Sequence, residues 1–500
     1  MVLGYFAVAS LAFGFVRLVQ KVDHASFQDI AFPWRWDNYR VARGNQNVAA
    51  AERLATAGRR LEALMLVRTG LVRAPRNRDG RLLLVQLLTE AGRTDVARQI
   101  LLEGAGFHHA DPAYLRPLFT FLLQNQRDAT IIALARKYLP SAPAGIESDR
   151  LLALAAATAS MFRGDYDTAE DFLQAVPQLP SSREGRLLGA KIEHDRGYHD
   201  LALLQLRDLA AEFPNDTEIH AEFVGQLDRR GLADEVRRAA LAFQISHPAL
   251  PAPRLELIRA YRRAGERDRA AREAGSFLHD FADDPPALLA LADLAANTGD
   301  APLANQLRDY AIARKFPWEA HAILAVEALV VAREFEATIT AGQDLLRANP
   351  SWSKNLQPVV NSLLAIAHFG LRDTDSARLL LTNYLNQSYL RAENLLAIAQ
   401  RLVEVDAAEQ ARLTLAQATI VDPLNQAALT RLVELELNLN RIDELPAHLT
   451  RLLAMRRPSP DIMRVAQHKL GSDLFLFSPE RPTALEAVRV ALEKSSRAAP

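Results

Sequence analysis

The chain of 500 residues has no cysteine, which excludes disulfides, thiolate metal sites and cysteine nucleophiles and leaves its redox compartment open. Lysine occurs only at Lys21, Lys137, Lys191, Lys315, Lys354, Lys469 and Lys494, so almost all of its 59 cationic side chains are arginine. Such an Arg and Ala bias is associated with GC-rich bacterial genomes. Aromatics reach only 7 %, and long Val/Ile/Thr runs of the kind that build strands are missing. Net charge is also missing, at −1 with a pI near 6.9, so the chain as a whole lacks the basic field that displaces counterions from nucleic acid. No His-Glu-x-x-His, Gly-x-Ser-x-Gly or phosphate-loop motif is present.

What is there favours helix. Hydrophobic residues make up 49 % and charged residues 24 %, values of a globular chain, and the apolar share is mostly Leu and Ala. The start, "MVLGYFAVASLAFGFVRLVQKV", is apolar from Val2 to Val16 and resumes at Leu18-Val19 around Arg17. Counted to Val19, with Arg17 and Lys21 reaching for headgroups, it approaches the ~20 residues that span a bilayer core. Residues 1–22 are therefore expected to be a single-pass membrane anchor. A cleaved signal peptide, with a weak site around His24-Ala25-Ser26, and a buried helix are the alternatives. Arg17, Lys21, Arg35, Arg40 and Arg43 follow the segment and nothing basic precedes it, which favours a cytoplasmic over a periplasmic location for the remainder.

Beyond the anchor the chain punctuates itself. "GYHDLA" at Gly197, "GLADEV" at Gly231 and "GERDRA" at Gly265 begin thirty-four residues apart. Turn residues recur at Gly58, Gly92, Asn125, Gly164, Gly197, Gly231, Gly265, Gly299, Arg333, Gly370 and Asn440, each between two apolar-periodic runs of three to four turns. Glycine or asparagine fits a left-handed helix stop. The aspartate three residues on (Asp95, Asp128, Asp167, Asp200, Asp234, Asp268, Asp373, Asp443) fits an N-cap for the next helix. The sixth position is Ala63, Ala97, Ala169, Ala202, Ala270 or Ala304 in six units, small enough for two helices to approach closely. Prolines such as Pro75, Pro214 and Pro248 then stop the second helix.

This punctuation resembles the tetratricopeptide repeat (TPR), a thirty-four-residue helix–turn–helix unit with Gly, Ala and Pro in this order. "GDYDTA" at Gly164 and "GERDRA", with Tyr261 four residues before it, are the closest matches. Most units lack the family's early Trp, and the unit around Val405 has no turn glycine. The resemblance covers over four-fifths of the chain. It implies an all-α fold, a right-handed superhelical solenoid of about twelve TPR-like helical hairpins. The expected organisation is an aromatic linker or cap at 23–44, holding "FPWRWDNY", then arrays at 45–139, 149–349 and 355–458, then capping helices at 459–500. The Pro- and Ser-rich stretches "LPSAPAGIES" and "NPSWSKNLQP" stretch the period and mark the array boundaries. An aromatic belt at the bilayer surface is the second reading of "FPWRWDNY".

Chemistry is scarce. His108 and His109 in "GAGFHHADP" diverge as neighbours on a helix and make a poor zinc site, and His194 and His199 read as flanks of a hinge. Asp283-Asp284 and Asp234-Glu235 read as loop and cap residues. No catalytic or metal residue, no cofactor and no small-molecule substrate is assigned, and an enzyme built on the repeat is the third-ranked reading. An RNA-binding repeat of the pentatricopeptide type ranks second, against its thirty-five-residue period and basic face.

The resemblance implies that the first helix of each hairpin lines a concave groove for protein or peptide partners. By register the groove positions are Lys191, His194, Asp228, Arg229, Arg259, Arg262, Arg263, Asp293, Asn297 and Glu327. Arg229, Arg259, Arg262 and Arg263 form a local basic patch unless Glu256, Glu266 and Asp268 neutralise it. Leu187, Ala221 and Leu255 stand where some TPR proteins carry the Lys of a carboxylate clamp. The expected function is a non-catalytic scaffold at a bacterial inner membrane, in envelope or exopolysaccharide assembly.

Overall fold

The computed structural model describes residues 2–18, 26–354, 356–387, 390–441, 443–473, 476–477 and 479–498. The described residues form twenty-eight α-helices, two short 3-10 turns and no strand. They divide into two compact units, Met1–Gly185 and Arg186–Pro500.

Twelve hairpins fill the chain between Trp36 and Leu453, and one backbone device makes every hinge. In the Gly265 hairpin the first helix, Pro251–Arg263, starts on a proline whose fixed φ suits the first turn. It ends where Gly265 turns left-handed at φ +75. The Glu266 N–H then reaches back to the Tyr261 carbonyl at 2.9 Å and the Gly265 N–H to Arg262 at 3.0 Å, so two carbonyls left open by the helix end are satisfied. The second helix, Arg267–Asp280, follows. The same long back-bond recurs at all twelve hinges, from Arg59 to Leu54 through Arg441 to Glu436.

The left-handed residues are Gly58, Gly92, Gln126, Gly164, Gly197, Gly231, Gly265, Gly299, Arg333, Arg372, Asp406 and Asn440. Three positions differ from the sequence expectation. Gln126, not Asn125, turns the third hinge. Arg372, not Gly370, turns the tenth, and Asp406 supplies the hinge that no glycine marked. Gly370 lies inside its helix, where a Cβ would meet the Phe335 ring at 2.5 Å, so its smallness serves packing. With these corrections the period is thirty-four within 58–126, within 197–333 and within 372–440.

The aspartates three residues after a hinge also need correction. Asp95, Asp200, Asp234 and Asp268 lie inside the first turn of the second helix, where a carboxylate suits the helix dipole. The side-chain cap comes one residue after the hinge: Asp165, Asp300 and Asp373 accept from the N–H of Thr168, Leu303 and Ser376. Asp373 has this role because its hinge is Arg372. The sixth-position alanines Ala63, Ala97, Ala169, Ala202, Ala270 and Ala304 are all buried.

In the first unit, the core runs from Val48 through Leu88, Leu101, Tyr114 and Leu122 to Leu152 and Ala159. The N-terminal helix, Val2–Leu18, packs on a short helix, Phe27–Ala31, through Phe6 and Phe13 against Phe27, and buries Val16 against Ala42. It is 17 residues long, and no helix among the described residues is long and apolar enough to cross a membrane. The expected span runs on to residue 22, and residues 19–25, with Lys21 and most of the candidate cleavage site, lie outside the described residues. Phe32 stacks on Trp34 at 4.9 Å, and both Trp34 and Trp36 face solvent.

In the second unit, one apolar cluster runs unbroken from Val326 and Val330 through Ile366, Leu402 and Leu432 to Val488. In the stretched segment Trp352 is buried beside Trp318 at 5.4 Å, in a separate cluster with Ala322, Val360 and Leu364. The closing helices, Pro460–Gly471 and Arg481–Ala498, add Met463, Leu470, Ala484 and Val488 to the longer cluster.

Candidate interaction face of the first helices

The thirty-four-residue register repeats one helical face from hairpin to hairpin. Lys191, Gly225, Arg259, Asp293 and Glu327 occupy one column on five consecutive first helices, six residues before each hinge. Those helices are Arg183–Arg196, Thr217–Arg229, Pro251–Arg263, Pro285–Asn297 and Glu319–Val331. His194, Asp228 and Arg262 stand three residues before their hinges, and Arg229, Arg263 and Asn297 two before.

Most of these side chains are engaged, chiefly with the neighbouring hairpin. Lys191 lies 3.5 Å from Glu218 and 3.8 Å from Glu222. Arg229 meets Glu222 at 3.2 Å. Arg263 pairs with Asp228, and Arg262 with Asp300 and with the Thr298 hydroxyl. The neutralising carboxylates are thus Glu222, Asp228 and Asp300, not the expected Glu256, Glu266 and Asp268. Glu256 instead bonds His220 at 3.0 Å, and Glu266 pairs with Arg237 and Arg269. Arg259 is exposed, without a carboxylate partner among the described residues.

Arg401, which the sequence did not single out, ties three hairpins together. Its guanidinium donates to Asn297 Oδ1 at 3.0 Å and lies 3.6 Å from Glu327 and 3.2 Å from Glu404. Burial pushes the Glu327 carboxyl above the usual range despite Arg401, and nearby Asp293 adds to the rise. Further along the same unit Asp195 pairs with Arg457, 262 residues away in sequence. His194 and His199 meet across their hinge with Nδ1 atoms 3.2 Å apart. Burial, then Arg229 and His199, hold His194 below the usual imidazole pKa.

The other candidates disperse. His108 packs on the Tyr114 ring at 4.9 Å and His109 stacks on Tyr138 at 4.7 Å, so each imidazole is spent on a different tyrosine. Asp284 caps a helix through the Ala287 N–H, and its neighbour Asp283 pairs with Arg314. Glu436, Glu444 and His448 bring ligand atoms within 4.8 Å of one another. His448 Nδ1 lies 2.9 Å from the fully buried Glu436, and Arg412 sits 4.0 Å from Glu436 and 3.4 Å from Glu444. That guanidinium already supplies the positive charge a cation would bring. A shallow depression lined by Ala129, Ile132, Ala133, Arg136 and Lys137 offers cations and alkyl groups.

No protein-family model matches the chain, and no curated protein does. Among solved structures it is similar to a tetratricopeptide repeat protein from Parabacteroides merdae, at 14 % identity and a TM-score of 0.30, over 51 % of this chain and 98 % of that one. It is also similar to the APC/C hetero-tetramer Cut9–Hcn1, at 12 % identity and a TM-score of 0.27, over 92 % and 97 %. The TPR domain of P58(IPK) matches at 12 % identity and a TM-score of 0.22, over 91 % and 99 %. Likenesses this distant carry no argument. The twelve back-bonded hinges and their thirty-four-residue register define the fold: an all-α array of TPR-like helical hairpins.

Proposed function

We propose that this chain is a non-catalytic protein–protein interaction scaffold, tethered to a membrane by its N-terminal helix. The observation that carries the reading is the column Lys191, Gly225, Arg259, Asp293, Glu327. It runs along five consecutive helices in constant register and changes from basic to acidic along its length, with Arg259 and Asp293 exposed at its centre while Lys191 and Glu327 are held by neighbouring charges. A partner segment with acidic groups towards Arg259 and basic groups towards Asp293 complements its exposed centre. Anchoring raises the effective concentration of such a partner at the bilayer. We read the membrane as a bacterial inner membrane, with the array on the cytoplasmic side by virtue of Arg17, Lys21, Arg35, Arg40 and Arg43 in the sequence, and the setting as envelope or exopolysaccharide assembly.

The test is chemical crosslinking and affinity capture with the full-length chain and with Arg259→Glu/Arg263→Glu. Partners specific to this face fall at least about tenfold with the variant, the factor that about 1.4 kcal/mol confers. Recovery of nucleic acid alone, or of the same proteins with both chains, sinks the reading. For sidedness, a phosphatase fused at the C-terminus stays inactive if the array is cytoplasmic.

A further inference from the structure

The first hairpin breaks the array's own pattern on its outer face. Three residues after the hinge, where other second helices carry Asp95, Asp200, Asp234 or Asp268, the helix Arg60–Arg73 carries Leu61. Leu61 is 70 % exposed, Met65 61 % and Val72 77 %. Spacings of four and seven residues put all three on one side of the helix, and the exposed Arg68 lies between Met65 and Val72 on that side. The opposite side holds Ala63, Val67 and Gly70 in the core, so the outer apolar stripe is surplus to packing.

Charge points the same way. Residues 1–77 contain eleven Lys and Arg against five Asp and Glu, a net +6, whereas the whole chain is at −1. Within the helix Arg60, Arg68 and Arg73 outnumber a single acid, Glu62, which is paired with Arg59, while Arg60 itself pairs with Glu90 at 3.1 Å. The same unit exposes Val8, Leu11, Phe15 and Leu18, at three- and four-residue spacing on the N-terminal helix, together with Trp34 and Trp36. Large apolar side chains held among arginines, with tryptophans nearby in sequence, match what the interface of an anionic bilayer rewards. Hydrocarbon takes up the apolar stripe, lipid phosphates meet the guanidiniums, and indoles rest at headgroup level. A protein groove would also accept the apolar stripe, but it would not explain a +6 field spread over the whole N-terminal segment.

We propose that the outer face of Arg60–Arg73, centred on Leu61, Met65, Arg68 and Val72, lies on an anionic lipid surface as a second membrane contact, distinct from the tether helix. The proposal rests on the tether reading for its location, but makes its own demand: the first hairpin is held against the bilayer and not left hanging from a flexible stalk.

The test uses full-length protein and two kinds of vesicle, phosphatidylcholine alone and phosphatidylcholine with phosphatidylglycerol, in co-sedimentation. Wild type binds the mixed vesicles more tightly, and added salt reduces the difference. Leu61→Ser/Met65→Ser/Val72→Ser weakens binding to mixed vesicles about tenfold. Arg68→Glu, which leaves the apolar stripe intact, does the same with a smaller residual salt effect. Circular dichroism melts confirm that both variants keep the fold. Leu11→Asp/Phe15→Asp reports on the tether helix separately. Binding to neither vesicle by wild type sinks the tether reading and this proposal together. Binding that Leu11→Asp/Phe15→Asp abolishes, but that both Arg60–Arg73 variants leave unchanged, overturns this proposal alone. A dimer that the triple serine variant disperses, with vesicle binding intact, gives the face to a second copy and overturns it equally.

Discussion

Arg372 and Asp406 are left-handed hinge residues of consecutive hairpins, at φ +65 and +60, and their side chains pair at 3.1 Å between Nη2 and Oδ2. Two residues that glycine would replace without strain are therefore joined across the repeat boundary. Both are largely exposed, so the pair contributes little. The left-handed backbone costs a residue with a Cβ about 1 kcal/mol.

Arg372→Gly is accordingly expected to stabilise its hairpin by about 0.5–1 kcal/mol, despite losing the pair. Asp406→Gly gains less, because aspartate tolerates this region better. Native-state hydrogen exchange of residues 373–385 reads the effect. Faster exchange in Arg372→Gly means that the ion pair outweighs the backbone term.

Gly104 is fixed by Tyr114. A Cβ at Gly104 would sit 1.9 Å from the tyrosine hydroxyl oxygen, and that hydroxyl donates to the Leu101 carbonyl at 2.8 Å inside the core. Gly104→Ala must displace the ring or the helix and is expected to cost about 1–3 kcal/mol, seen as a lower melting temperature of the first unit. An unchanged melt would mean that the helices slide apart freely.

The same tyrosine gives an alkaline signature. Burial raises its pKa to about 12, while in the unfolded chain it titrates near 10. The unfolded state therefore loses its proton first, and the phenol's contribution, complete below about pH 10, is lost as pH rises towards about 12. Tyr114→Phe should flatten that part of the stability profile in denaturant melts. Parallel profiles for the two chains would count against burial of the phenol.

His321 acts at the other end of the scale. It is buried, its Nδ1 lies 3.2 Å from the Pro317 carbonyl, and burial holds its pKa below the ordinary value of 6.5. The unfolded state takes up a proton first as pH falls, so the contribution is present above about pH 6.5 and lost below it. Melting temperatures across about pH 5 to 7.5 should fall more steeply for wild type than for His321→Leu. Equal slopes would assign the acid sensitivity elsewhere, for instance to His108 or His194, whose pKa values burial also lowers.

Asp195 and Arg457 link the first hairpin of the second unit to the segment after its last, and both side chains are mostly shielded from water. Asp195→Arg or Arg457→Asp alone is expected to loosen that closure by about 1.5–3 kcal/mol, and the double exchange to restore it. Because the chain has no cysteine, spin labels at Ala211→Cys and Gln467→Cys can read the distance directly. One distance distribution shared by all four chains would show that the pair closes nothing.

How much of this was legible follows from what each residue type encodes. Glycine announces a left-handed backbone, so seven of the hinges could be read in place, and the period placed Arg333 and Asn440. Gln126, Arg372 and Asp406 announce nothing, because there the back-bond and the flanking helices impose the conformation on residues that resist it. Gly370 misled for the converse reason: its missing Cβ makes room for Phe335. The candidate face was legible as register only. Period places Arg262 and Arg263 on a first helix, but not that Asp300 and Asp228 would answer them. Arg401 escaped notice because its unit lacked a visible hinge from which to count.

The sequence alone determined the helix pairs, their spacing and their buried alanines, since each depends on interactions within about thirty-four residues and repeats as a period. The tertiary structure alone decided which charges meet. Arg401 finds Asn297 and Glu327, and Asp195 finds Arg457, because contacts between hairpins several repeats apart depend on how the whole unit stacks, which no single period encodes.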